Sequence, residues 1–177
     1  MNLNFSDEQN LLRDSVSRFC TSDYDFETRM KSVNSDSGFS KEHWKLFADL
    51  GWLAVPFDEE LGGLGGDVLD LSILFEEFGK SIVVEPYLAN VVLAGGVLKR
   101  SGFDKKDEYL SSIVSGEKQF SLANYEPEKG YNLENIETVL DDKGLLSGSK
   151  STVLNAPNAD YFIVFSKKGD DLSLIHI

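Results

Sequence analysis

The stretch from Gly144 to Ser151, GLLSGSKS, contains residue types that could bind a phosphate or attack a carbonyl carbon. A P-loop has the pattern Gly-x-x-x-x-Gly-Lys-Ser/Thr, whereas here three residues separate the glycines and a serine precedes the lysine. Ser147 and Lys150 have a Ser-x-x-Lys spacing, but that nucleophile needs a helix to bring the amine over the hydroxyl. The Thr-Val-Leu-Asn-Ala-Pro that follows favours a strand and a turn, so we predict a sheet hairpin.

A glycine-rich loop at residues 61–67, LGGLGGD, is a second possible phosphate site, because successive backbone N–H groups can cradle an anion. The dinucleotide motif Gly-x-Gly-x-x-Gly is incomplete, since its third glycine would fall at Val68. We therefore predict a tight turn after Pro56, with a nucleotide-phosphate role as the alternative.

Other reactive side chains do not form an obvious catalytic group. His43 lies in the first turn of a predicted helix, where we expect a solvated or capping side chain. The adjacent pairs Glu59-Glu60 and Glu76-Glu77 diverge on a helix, which predicts solvated faces. Cys20 is the single cysteine, so we expect a buried thiol and neither a disulfide within the chain nor a cysteine-based metal site.

The composition excludes several classes of function. A net charge of -13 argues against nucleic-acid binding, which needs clustered Lys and Arg. The N-terminus has no basic segment followed by an apolar run, so a cytoplasmic location is the default expectation. The longest mostly apolar stretch, Val91 to Leu98, is far shorter than the roughly 20 residues of a membrane span.

Apolar residues recur at helical spacing over the first part of the chain. Segment 22–38 is polar, and we predict a loop with a short helical turn there. The predicted helices are one from the Ser6/Gln9 capping box to Thr21, one capped by Ser40 with Trp44, Phe47 and Leu50 inward and Gly51 as its stop, one over Leu71–Phe78 closed by Gly79, a central one that has Pro86 in its first turn, carries the apolar run Leu88–Leu98 and stops at Gly102, and one from a cap at Asp104 to Gly116.

After Gly116 the apolar period changes from 3.6 to 2, which predicts a sheet. The predicted strands are Phe120–Ala123, Ile136–Leu140, Leu145–Leu146, Ser151–Leu154 and Tyr161–Phe165. We therefore expect an α+β fold, with a helical bundle over residues 1–117 and the first part of a β-barrel or sheet domain over 118–171. Residues 172–177, LSLIHI, resemble the translation of a sequencing-library adapter, so we expect the natural sequence to be interrupted near Asp171.

Taken in order, these segments resemble the acyl-CoA dehydrogenase family. The matching segments are FSDEQNLLRDSVSRF, HWKLFADLGWLAVPFDEELGGLGGD, LSILFEEFGKS, SGEKQFSLANYEP and LSGSKSTVLNAPNADYFIVF. The last is similar to the family's Asn-Gly-x-Lys-x-x-x-x-Asn stretch. The resemblance covers nearly the whole chain up to about Asp171.

The resemblance implies an FAD enzyme that oxidises the α,β bond of an acyl-CoA thioester and passes electrons to an electron-transfer flavoprotein or a similar acceptor. It also implies a homo- or hetero-oligomer of such subunits. By matching position, the cofactor-binding residues would be Phe120, Leu122, Ala123, Thr152 and Leu154. At the first three, strand backbone N–H groups would reach the edge of the isoalloxazine ring.

The sequence departs from the family pattern at several of these positions. Thr152 and Leu154 stand where the family usually offers a Trp and a Thr, and Ala123-Asn-Tyr-Glu126-Pro127 stands for Thr-Glu-Pro. Segment 128–131 stands in place of the usual Gly-Ser-Asp. Without Gly-Ser-Asp, the sequence is more similar to small-subunit members such as the pimeloyl-CoA dehydrogenase small subunit.

The family's catalytic base comes from a C-terminal helical domain that this chain lacks, so the resemblance assigns no catalytic residue here. It implies that this fragment alone does not turn over substrate. Two alternatives remain open. One is a non-catalytic partner subunit of a heteromeric acyl-CoA dehydrogenase, and the other is an unrelated nucleotide-binding module using Gly144 to Ser151.

Overall fold

The computed structural model describes residues 4–129, 135–169 and 171–176, with helices first and a sheet after them. The helices are α1 (Asp7–Ser22), α2 (Phe26–Val33), α3 (Lys41–Asp49), α4 (Val68–Ser81), a π-helix (Leu88–Ala94) that continues as α5 (Gly95–Arg100), and α6 (Lys106–Val114). The strands are β1 (Phe120–Ala123), β2 (Val139–Leu140), β3 (Leu146–Ser147), β4 (Tyr161–Lys168) and β5 (Asp171–His176). The predicted α+β class is confirmed.

Local capping chemistry explains where the first helices begin. The capping box of Ser6 and Gln9 is present at α1, as predicted. The short helical turn predicted within 22–38 is an eight-residue helix, because Asp25 accepts a hydrogen bond from the Thr28 amide at 2.8 Å and starts α2. Phe26 is 72% exposed, so α2 lacks the buried apolar stripe that would have revealed it.

Three predicted helix details need correction. Leu50 is 45% exposed, not inward, because it follows the last residue of α3, and Gly51 then turns the chain with φ of 75°. The helix predicted over Leu71–Phe78 is α4, and it continues past Gly79 to Ser81. Asp104 does not cap α6, since Lys105 occupies the N-cap position and makes no side-chain cap there.

The core of the helical part is aromatic. The ring of Phe47 is fully buried and stacks on Phe78 at 5.3 Å between centroids, and Trp52 lies 4.9 Å from Phe47. The helix predicted to be central in the bundle is the π-helix with α5, and Val91 and Ala94 of the π-helix are fully buried.

β4 is the central strand of the sheet. Its first half pairs in parallel with β1, Lys167 pairs with Val139 of β2, and β5 lies antiparallel to it. β2 and β3 form a hairpin across residues 141–145, so the segment Gly144 to Ser151 pairs with the strand before it and not with the strand predicted over Ser151–Leu154. Residues 130–134, which include Tyr131 of the departure from the family pattern, lie outside the described residues.

Two predicted strands are wrong in whole or in part. Segment 151–154 is irregular because Thr152 and Asn155 have φ values of 53° and 57°, which a strand ladder does not accept. Of the strand predicted over Ile136–Leu140, only Val139–Leu140 forms β2. The amides of Glu137 and Thr138 donate to the Glu126 carboxylate instead of to a neighbouring strand.

The helices and the sheet share one core. Asn90 of the π-helix is fully buried, and its Oδ1 accepts from the Phe120 amide at 2.9 Å. Its Nδ2 donates to the Lys118 carbonyl at 3.1 Å. The Phe120 ring packs 5.4 Å from Tyr109 of α6 and 5.1 Å from Tyr161 of β4. β1 is therefore fixed to the helices by both hydrogen bonds and ring contacts.

Candidate functional site

The glycine-rich loop is a tight turn, as predicted, and its amides are occupied. The N–H groups of Leu64, Gly65 and Gly66 donate to the carbonyls of Ala54, Phe57 and Val55 at 3.0, 2.8 and 2.7 Å. A Cβ on Gly63 would overlap the Phe57 carbonyl. Because these donors point back into the loop, the alternative of a phosphate cradle here is not supported.

The segment Gly144 to Ser151 also lacks the geometry for phosphate binding or nucleophilic catalysis. Ser147 lies in β3, so no helix brings the Lys150 amine over its hydroxyl. The Lys150 Nζ instead lies 2.8 Å from Glu126 Oε1, with the lysine side chain 9% exposed. The ammonium that a P-loop would need is therefore engaged within the protein.

Glu126 is a buried carboxylate with several donors. Besides Lys150, it accepts from the Glu137 amide at 2.7 Å, from the Thr138 amide at 2.8 Å, and from the Thr138 hydroxyl. Burial alone would raise the pKa of Glu126, but Lys150, Thr138 and the two amides lower that pKa to about 2. Glu126 is therefore ionised at neutral pH and joins β2 to the segment that begins at Lys150.

The flavin-facing residues predicted on β1 have different environments. Phe120 is fully buried against the helices and Ala123 is 3% exposed. Leu122 is partly exposed and lines an open groove of about 360 Å³. The other residues of this groove are Val92 and Leu93 of the π-helix, Gly96, Val97 and Arg100 of α5, and Ser101 directly after α5.

The backbone of β1 offers a hydrogen-bonding edge. The Phe120 N–H points away from β4, because it donates to Asn90. Along a strand, the amides of residues two apart point to the same side, so the Leu122 N–H faces this edge too. The prediction that backbone amides of β1 reach a ligand is therefore compatible with the fold at Leu122, whereas the Phe120 amide is already used.

Thr152 and Leu154 lie on an exposed irregular segment. Leu154 is 46% exposed and lines a second cavity of about 250 Å³ with Glu85, Leu88 and Ala89. Leu88 and Ala89 come from the start of the π-helix, whereas Val92 and Leu93 line the groove at Leu122. The two surfaces are thus neighbours along one wide helix, and the structure does not place Leu122 and Leu154 in one cavity.

Both ends of the exposed segment are anchored by contacts that sequence patterns do not reveal. At the first end, the Ser151 amide donates to the Tyr125 carbonyl at 2.9 Å, next to the Lys150 ion pair. At the other end, Asn155 Nδ2 donates to Gln119 Oε1 at 3.3 Å. The Glu-Pro and Lys positions of the family motifs were the sequence features that could have singled out Glu126 and Lys150.

Two further buried carboxylates, Glu85 and Glu77, each correct one expectation. Glu85 accepts from the Tyr24 hydroxyl at 2.8 Å and lies 3.2 Å from His43 Nδ1, so His43 is a partner of Glu85 rather than a solvated side chain. Burial raises the pKa of Tyr24. Glu77, expected on a solvated face, is 3% exposed and lies 2.7 Å from Lys80 Nζ.

The remaining expectations concern the thiol, metals and membranes. Cys20 is buried, as predicted, and burial raises its pKa. Within the described ranges, no three His, Cys, Asp or Glu side chains converge to hold a metal ion. No helix of that part of the chain has the length and apolar character needed to cross a bilayer.

Comparisons with known proteins agree with this architecture. The family model for the acyl-CoA dehydrogenase N-terminal domain matches residues 6–117. The CarC subunit of the caffeyl-CoA reductase-Etf complex of Acetobacterium woodii is 30% identical, over 92% of this chain and 44% of that protein. The L-prolyl-(peptidyl-carrier protein) dehydrogenase of a Serratia species is 31% identical, over 97% of this chain and 46% of that protein.

A solved structure shows the same fold with the cofactor. The FAD complex of PigA superposes with a TM-score of 0.86 at 28% identity, covering 100% of this chain and 49% of PigA. The chain thus spans about half the length of the relatives it matches. Because the family model matches more than half of the chain, the chain belongs to the acyl-CoA dehydrogenase family.

Proposed function

We propose that the chain is part of a subunit of an FAD-dependent acyl-CoA dehydrogenase, which dehydrogenates the α,β bond of an acyl-CoA thioester. FAD is the cofactor of this family, and PigA has been solved with it. The observation that carries the proposal is a pair of neighbouring cavities along the π-helix, one lined by Leu122 of β1 and the other by Leu154 of the anchored segment. The family-model match ends at residue 117, which supports a domain boundary there.

Both cavities offer apolar contact for a planar ring. Leu122 is partly exposed and Leu154 is 46% exposed, and each lines one of the two cavities. The Leu122 amide faces the edge of β1 and can donate to a ring heteroatom. FAD, when bound, accepts the hydride that leaves the β-carbon of the thioester. The side chains of Phe120 and Ala123 are buried and fix the position of β1.

The described part of the chain holds the cofactor rather than moving the substrate proton. Glu126 is a buried carboxylate close to the segment, but a base with a pKa of about 2 is too weak to remove an α-proton at neutral pH. Both of its oxygens are also occupied by donors. We therefore assign no catalytic residue here, and we expect this chain alone to be inactive.

A second candidate is a non-catalytic partner subunit in a heteromeric enzyme. The replacement of the usual Trp and Thr by Thr152 and Leu154 favours it, because an aromatic stacking face is missing. CarC is by name a subunit of a complex with Etf, which supports an electron-transfer flavoprotein as a further partner. A cytoplasmic location and assembly with acyl-CoA dehydrogenase subunits belong to the same proposal.

The test uses the uninterrupted gene product that contains this chain. Purified with added FAD, it should show visible flavin absorbance, and it should reduce an artificial electron acceptor with one member of a panel of acyl-CoA thioesters. Turnover that appears only after a sister subunit is added would favour the partner role. A colourless protein that takes up no FAD would refute the flavin proposal.

A further inference from the structure

Thr152 has a backbone conformation that its side chain disfavours. Its φ of 53° lies in the left-handed region, which is costly for a β-branched residue. Such a conformation persists only where the surrounding structure imposes it. The question is which contacts impose it on an exposed segment.

The contacts lie directly on both sides of Thr152–Leu154. On one side Lys150 is held by Glu126 at 2.8 Å, and the Ser151 amide is held by the Tyr125 carbonyl at 2.9 Å. On the other side Asn155 also has left-handed backbone, and its Oδ1 accepts from Asn158 Nδ2 at 2.8 Å. The segment is therefore fixed at both ends, while the side chains of Thr152 and Leu154 remain exposed.

The Glu126 end is the more rigid of the two, because the carboxylate is itself fixed. Two amides and a hydroxyl from Glu137 and Thr138 orient it, so Lys150 has one position in which to form its ion pair. Neither side chain of the pair is more than 9% exposed. A buried pair of this kind is weak evidence for stability but can fix a local conformation.

We propose that Glu126 and Lys150 are positioning residues, which hold Thr152–Leu154 in the conformation that contacts the flavin. This inference rests on the proposed function. The pair touches neither cofactor nor substrate in this role and acts only through the segment that follows Lys150. Removal of the pair should therefore loosen the conformation of residues 151–154, and weaker FAD binding should follow from that.

The test compares three variants of the uninterrupted gene product with the wild type. Lys150→Met removes the pair, and Lys150→Arg keeps a cation that can pair with Glu126. Lys118→Met is the matched control, because Lys118 pairs with Asp160 at 3.5 Å with both side chains more than a third exposed. Amide hydrogen exchange is measured in the FAD-free protein for residues 151–154 and for β4, and the FAD dissociation constant is measured by titration.

We expect Lys150→Met to speed exchange across residues 151–154 and leave β4 unchanged. FAD binding should weaken by the order of tenfold, as when supporting residues of other sites are removed. Lys150→Arg should restore most of the wild-type exchange protection at residues 151–154 and most of the FAD affinity. Lys118→Met should match the wild type in both measurements. Equal speeding of exchange in β4 would mean that the pair only stabilises the sheet, and would overturn the inference.

Failure of the inference and failure of the proposed function give different results. If the wild type binds FAD and Lys150→Met binds it equally well, only the positioning role is refuted. If the wild type binds no FAD, the proposed function fails and the flavin role of the pair fails with it.

Discussion

Asn90 and Phe120 connect the π-helix to the first strand through a single buried amide side chain. The Asn90 Oδ1 accepts from the Phe120 N–H at 2.9 Å, while its Nδ2 donates to the Lys118 carbonyl at 3.1 Å. Both bonds lie at the point where the chain passes from helices to sheet. The side chain thus satisfies two backbone groups of an edge strand that would otherwise need other partners.

We therefore predict that Asn90→Leu destabilises the chain, because the Phe120 N–H and the Lys118 carbonyl lose their partner in a buried site. The expected loss in the free energy of unfolding is about 2 to 6 kcal/mol, at about 1 to 3 kcal/mol for each of the two unsatisfied groups. Urea unfolding measures it. Asn10→Leu is the control, since Asn10 makes one exposed hydrogen bond of 3.5 Å and its loss should change little.

The depressed pKa of Glu126 predicts a stability that depends on pH. Its folded pKa of about 2 lies below the value of about 4.3 for an unfolded Glu, so the unfolded chain binds more protons between these values. The stabilisation is therefore complete above about pH 5 and is lost as the pH falls towards 2. It amounts to at most about 3 kcal/mol at neutral pH.

Comparison of the wild type with Glu126→Gln checks this dependence. The difference in unfolding free energy between the two should be largest at neutral pH and should shrink as the pH falls below about 4. Glu137→Gln serves as the control, because the Glu137 side chain is 73% exposed. A difference that stays constant with pH would contradict the assignment.

Two glycines should respond to alanine in opposite directions. Gly63→Ala places a methyl group into the Phe57 carbonyl, so the loop must move and the melting temperature should fall. Gly79 lies in the interior of α4 with no atom within 4 Å of the added Cβ. Gly79→Ala should therefore raise stability by about 0.5 to 1 kcal/mol. Thermal unfolding measures both variants. A melting temperature of Gly63→Ala equal to that of the wild type would contradict the close packing of Gly63 against the Phe57 carbonyl.

Strain at Thr152 predicts a stabilising substitution at an exposed position. Thr152→Asn should raise the stability of the FAD-free chain by about 0.5 to 1 kcal/mol, because Asn accepts the left-handed region more readily. Asn155→Thr should lower it, since it creates strain and removes the bonds to Gln119 and Asn158. Unchanged unfolding of Thr152→Asn would show that the segment stores no strain.

Short-range chemistry explains most of what the sequence predicts correctly. The Ser6/Gln9 box, the Gly51 stop and the change of period after Gly116 depend on residues a few positions apart, so they can be recognised without the fold. α2 escapes such recognition because its helix starts at a side-chain cap and buries almost no apolar residue. Capping without an apolar stripe is a weak pattern.

The site depends on contacts between distant residues, which no local pattern encodes. Ser151–Leu154 has the composition of a strand, yet Glu126, 24 positions before Lys150, holds it in another conformation. In the same way, His43 reaches Glu85, 42 positions away, and leaves solvent. Five flavin-facing positions could be named only through resemblance to a family, and their contacts with FAD stay a prediction.

The docking of β1 on the helices also bears on the order in which the chain folds. β1 and β4 are parallel strands with their partners about forty residues apart, as in Phe120 and Tyr161, and such pairing forms slowly because a long loop must close. Asn90 and Tyr109 are nearer in sequence to Phe120 and lie on elements that form locally. We expect the helices to assemble first and capture β1, which then serves as the template on which β4 completes the sheet.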